Sequence, residues 1–153
     1  MGSLMLLASC EKIGQLPYDI SGDYDMVDYH KLGSHDGLVE YEYNDTSFDI
    51  NTFIFNHQED AANTLTWHYR INVDFRLGNN VNAGVLQESY TGTWDIAEHK
   101  GDTPDSMYVT IDGETLGYEI ESFEDGLLTM HTHVGDSADG GTWYVERLQF
   151  DKN

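Results

Sequence analysis

The stretch LTWHYRINVDFRL, residues 65–77, decides the fold class. Leu65, Trp67, Tyr69, Ile71, Val73, Phe75 and Leu77 fall on one side of a two-residue period, and Thr66, His68, Arg70, Asn72, Asp74 and Arg76 fall on the other. Successive side chains of a strand point to opposite faces of its sheet. This pattern therefore predicts a strand that buries one face and leaves the other in water. A helix would scatter the same apolar residues around its circumference.

Working outward, the same alternation returns on both sides. Residues 22–30, 37–43 and 48–57 precede the central strand, and 86–99, 106–112, 115–123, 127–134 and 142–150 follow it. The expectation is about nine strands. No stretch of helical length carries a 3.6-residue apolar period. Asp112-Gly113 and Asp125-Gly126 supply the positive φ of tight hairpins, while 135–141 is a longer polar loop. Pro17 and Pro104 fall outside the strands, where no ladder hydrogen bond is lost. Strands joined by short turns predict an antiparallel meander, and about 8–10 of them must close or stack to protect their edges. The fold class is all-β, an up-and-down barrel; a β-sandwich is the alternative.

At 153 residues the chain makes one domain. Apolar residues reach 39%, and aromatics alone 12%, with 10 Tyr, 6 Phe and 3 Trp. Aromatic side chains bury much area each, so this set closes a core despite the modest apolar total. With 28 acidic and 7 basic residues, the formal charge is −21. Such a surface repels phosphate backbones and anionic lipid, which excludes nucleic acid and a polybasic membrane attachment.

A lone cysteine, Cys10, forms no internal disulfide and follows a short apolar run, LMLLAS, at 4–9. Leu7, Ala8, Ser9 and Cys10 together resemble the lipobox of bacterial lipoproteins. That resemblance implies diacylglyceryl modification of Cys10 and cleavage just before it. Residues 1–9 then read as the remnant of a signal peptide, 10–19 as lipidated cysteine and tether, and 20–153 as the barrel domain. No basic residue precedes Cys10, so the start lies upstream of Met1 or the leader was trimmed. The apolar run is far short of the about 18 residues a transmembrane helix needs. Acyl chains would supply the attachment to the outer membrane, on its periplasmic or cell-surface face.

A second resemblance concerns the rest of the chain. SGDY at 21–24 is similar to the Gly-x-Trp opening of lipocalin-type barrels, with Tyr24 in place of the tryptophan. Gly92, Thr93 and Trp94 match a Gly-x-Trp strand, and Phe150 with Lys152 matches the closing strand. The chain thus resembles lipocalin-like lipoproteins of Gram-negative envelopes. The resemblance implies a small barrel with an interior pocket and brings no catalytic residue with it.

Three constellations are candidates for chemistry. Trp67, Tyr69, Phe75, Trp94 and Trp143 either fill a barrel or border a cavity for one apolar ligand. Arg147 shares strand parity with Trp143 and is placed to meet a ligand carboxylate, whereas Arg70 and Arg76 are expected to pair with acids outside. His131 and His133 share a strand face and can reach one divalent metal, with His68, His99 or Asp136 completing the set. The alternative is that both imidazoles face solvent, opposite Leu128, Met130 and Val134. Residues 136–141, DSADGG, offer oxygen ligands for calcium without the full loop spacing. No nucleophile elbow, phosphate loop or His-Glu-x-x-His occurs, and the chain is not expected to be an enzyme. Three classes of function stay open: a carrier of a small hydrophobic or amphipathic molecule, an accessory lipoprotein of an outer-membrane protein complex, and a calycin-like hydrolase or isomerase.

Overall fold

The computed structural model describes residues 15–36, 39–135 and 141–153. A short helix, α1 (Leu16–Ile20), precedes eight strands: β1 (Gly22–His35), β2 (Val39–Asn56), β3 (Asn63–Leu77), β4 (Asn80–Ala97), β5 (Ser106–Ile111), β6 (Glu114–Glu124), β7 (Leu127–Val134) and β8 (Trp143–Lys152). Every neighbour is antiparallel, and β8 pairs back onto β1, so the up-and-down sheet closes into a ring. The barrel is therefore the architecture, and the sandwich is set aside.

The expected separate strands at 37–43 and 48–57 are one strand, β2. The polar run between them, Asn44 to Ser47, is a bulge rather than a turn. There the Asp45 carboxylate accepts the Tyr29 backbone N–H at 2.9 Å, and the Thr46 hydroxyl donates to the Asn72 carbonyl at 3.1 Å. Side chains replace ladder bonds, so the strand bends without ending. A partner irregularity in β1, between Met26 and Asp28, leaves Val27 exposed and turns Tyr29 inward. Asn51 stitches that site by accepting the Met26 N–H at 2.7 Å and donating to the Met26 carbonyl at 2.9 Å.

The hairpin turns follow the sequence reading. Asp112-Gly113 and Asp125-Gly126 have φ of 53°, 80°, 52° and 81°. In β3 the expected face is buried from Leu65 to Val73, except for the half-buried Tyr69. The alternation then runs out at the rim, where Phe75 is half-buried and Leu77 is exposed.

The two ends of the ring differ. At one, Phe55 packs edge-on against Tyr24, Trp67, Trp94 and Phe150, with ring centroids 5.6–6.0 Å apart. Helix α1 covers this end: Leu16 and Ile20, one turn apart, pack on the core, and Ile20 is wholly buried. The Tyr24 hydroxyl donates to the Ile20 carbonyl at 2.6 Å, and the Lys152 ammonium donates to that of Asp19 at 2.8 Å. The tether expected at 10–19 is thus folded onto the barrel from Leu16 onward; Cys10 lies outside the described residues.

At the other end the wall is incomplete. The β4–β5 ladder spans Thr93 to Ala97, and the β6–β7 ladder spans Glu119 to Glu124. The tip of the β5–β6 hairpin therefore stands between two gaps. Gly92 marks the first parting: a β-carbon there would lie 2.2 Å from the Thr110 carbonyl oxygen, so only glycine permits the approach.

Candidate functional site

Beneath that hairpin tip lies a cavity of about 420 Å³, within the roughly 300–1,000 Å³ usual for small-molecule sites. Its floor is Trp67, its walls include Tyr69 from β3, Tyr90 from β4 and Tyr118 from β6, and Tyr144 and Glu146 enter from β8. The parity of β8 explains the last two. Phe150 and Leu148 point into the core, so Glu146 and Tyr144 share their face.

Glu146 is a carboxylate directed at the barrel interior. One oxygen accepts the Tyr29 hydroxyl at 2.8 Å, and the other accepts that of Tyr118 at 3.4 Å. Both tyrosines are buried. Burial first, and then the charge of Glu146, push both phenols far above the usual tyrosine range, so they stay protonated and donate. The same two causes raise the phenol of Tyr144, while in Tyr69 the neighbouring Tyr90 ranks between them. Among the described residues no lysine, arginine or histidine forms an ion pair with Glu146. A carboxylate has about four acceptor sites, so two tyrosines leave capacity unused.

Trp67 brings a second open valence. It is 5% exposed, and its indole N–H is buried with no hydrogen-bond partner among the described residues. Buried donors are normally satisfied, and an orphan costs about 1–3 kcal/mol. By contrast, the Trp94 indole donates to the Thr64 carbonyl at 2.9 Å. Next to the cavity is a cleft of about 480 Å³ bordered by Lys31, Tyr41, Tyr43 and Phe75. There Phe75 packs on Tyr43 at 4.8 Å, and the Lys31 ammonium sits 4.3 Å from the centroid of Tyr144.

The five aromatics singled out in the sequence do not form one cluster. Trp67 and Tyr69 line the cavity, Tyr69 stacking on Phe53 at 5.6 Å and an interplanar angle of 12°. Trp94 belongs to the filled end, and Phe75 to the neighbouring cleft. Trp143 has the opposite parity to Tyr144 and faces outward, as does Arg147. The Arg147 guanidinium lies 3.3 Å from Asp28 and 3.2 Å from Glu121 on the outer wall, not within reach of a ligand in the barrel. Arg70 and Arg76 pair outside with Asp49 and Glu42, at 3.4 Å and 3.6 Å.

His131 and His133 also face outward, because Leu128, Met130 and Thr132 occupy the inner face of β7. The His131 ring lies between Glu121, at 3.0 Å, and Glu119, at 3.5 Å, and His133 is exposed. His68 bonds Ser89 and His99 bonds the Pro104 carbonyl, so neither joins them. Among the described residues no three His, Cys, Asp or Glu are grouped to hold a metal ion. Of the calcium candidate, residues 136–140 lie outside the described residues.

The decisive residues that the sequence reading passed over are Glu146, Tyr29, Tyr118 and Tyr144. One signal was available for Glu146: a charged residue on the parity of Leu148 and Phe150. Comparison with known protein families, curated proteins and solved structures finds no match for the chain.

Proposed function

We propose that the chain is a non-catalytic envelope lipoprotein whose lipocalin-like barrel holds one small amphipathic molecule at its open end. One observation carries the reading: a ring of strands packed solid beneath α1 keeps a cavity of about 420 Å³ above Trp67. A folded chain gains stability by covering its apolar surface, so an open pocket walled by large aromatics offers surface for a ligand to bury. Cys10 acylation would hold the barrel at the outer membrane, with α1 keeping the closed end toward the anchor side of the chain.

A second reading, an accessory subunit docked on a membrane protein complex, draws on β4. Among the described residues, 80–92 pair with β3 alone, and Val81 and Val85 are 60% and 47% exposed beside that unpaired edge. Such an edge accepts an added strand. Native mass spectrometry of the protein extracted from its own envelope, with the upstream reading frame restored, separates the two. An acylated Cys10 with a discrete small-molecule adduct is expected. An acylated chain that carries a protein subunit and no adduct would transfer the assignment to the accessory role, and an unmodified cysteine would overturn the lipoprotein reading.

A further inference from the structure

The chemistry of the cavity is more specific than its volume. Among its lining residues the interior charge is one carboxylate, Glu146, held by the buried hydroxyls of Tyr29 and Tyr118 and flanked by Tyr69, Tyr90 and Tyr144; Lys31, the cross-strand partner of Glu146, belongs to the adjoining cleft and forms no ion pair with it. Asp112 and Glu114 stand at its rim and add to the negative field. An anionic ligand, such as a fatty acid, would meet like charge at the mouth and again inside. A purely apolar ligand would leave the charge of Glu146 answered by the two tyrosine hydroxyls alone. Aromatic faces around a carboxylate suit a cation with an organic shell, which gains from ring quadrupoles and charge together. One of these rings already meets a cation, since the Lys31 ammonium lies over Tyr144 at 4.3 Å.

Resting on the binding role proposed above, we infer that the cavity takes an organic cation: an ammonium group paired with Glu146 on an apolar body that lies against Trp67 and the tyrosine rings. The tyrosine phenols fix the carboxylate before the ligand arrives, so little ordering cost falls on binding.

The test uses three amphipaths of one alkyl chain length, below their micelle concentrations: an alkyltrimethylammonium, an alkyl sulfate and an alkyl glucoside. Binding to the folded chain is followed by calorimetry and tryptophan fluorescence. One ammonium probe per chain is expected, bound at least about ten-fold more tightly than the glucoside, with the sulfate weakest. Glu146→Gln should remove that ten-fold preference of the ammonium over the glucoside. Equal binding of all three would refute the cation inference while keeping the cavity as a binding site. Binding of none would refute both. Ammonium binding at many sites per chain, indifferent to Glu146→Gln, would assign it to the acidic surface and also refute the inference. Unaltered circular dichroism of the variant guards its comparison, and the wild-type preference stands as a test without it.

Discussion

Truncating one ring at each end of the barrel should have very different costs. Phe55 is wholly buried and meets four aromatic rings at 5.6–6.0 Å. Phe→Ala in a core costs ~3–5 kcal/mol, from lost transfer energy and the void left behind. Four ring contacts, each contributing ~0.5–1.5 kcal/mol beyond area, place Phe55→Ala near the top of that range. Phe75 is half-buried, meets Tyr43 at 4.8 Å, and borders a cleft of about 480 Å³. Its removal enlarges a space already open and forfeits roughly half of the ~1.5–3 kcal/mol of a fully buried side chain, so about 1 kcal/mol. Urea unfolding followed by circular dichroism, fitted with a common slope, measures both. For a chain of this size the differences correspond to midpoints lower by about 10–15 °C and about 3 °C. Equal losses at the two positions, or a loss under about 2 kcal/mol at Phe55, would refute the reasoning that one end is packed and the other open.

Other outcomes follow from single contacts. The phenols of Tyr24, Tyr29, Tyr69 and Tyr118 are raised above the ordinary 10.0, chiefly by burial. The folded state thus holds protons that the unfolded chain releases, so stability is full below pH about 10 and falls as pH rises above it; denaturant midpoints that stay level to pH about 12 would count against these burials. Gly92→Val should destabilise by about 1–3 kcal/mol or more, because its side chain meets the Thr110 carbonyl, and a neutral result by thermal melting would deny the close approach of β4 and β5. Arg147→Ala should change stability by no more than about 1 kcal/mol, since its partners are solvent-exposed, and should leave ligand uptake untouched. Loss of uptake in that variant would return Arg147 to the interior.

Much of the ring was legible because the period of two is unusually regular from Leu65 to Val73. What misled was residue chemistry shared by turns and bulges. Asn44, Asp45, Thr46 and Ser47 have short polar side chains that satisfy backbone groups, and the sequence alone does not say whether they end a strand or bend it. The bulge at Val27 likewise reverses the parity of β1, so Tyr29 joins the interior out of step with Met26. In β8 both faces carry apolar residues, and the size of Trp143 outweighed the parity of Leu148 and Phe150. Correct parity there would have placed Glu146 in the barrel and Arg147 outside. The histidines of β7 faced the same choice, settled by Leu128 and Met130 filling the core. The tyrosine hydroxyls that grip Glu146 come from β1 and β6, far apart in sequence, and no local pattern signals their meeting.

The most direct measurement is a crystal structure of the chain grown with an alkyltrimethylammonium. One ligand is expected between the β5–β6 hairpin tip and Trp67, its cationic head beside Glu146 and the aromatic core beneath α1 unchanged. A collapsed cavity with Tyr69 or Tyr90 packed over Trp67, or a ligand bound only on the outer wall, would contradict it.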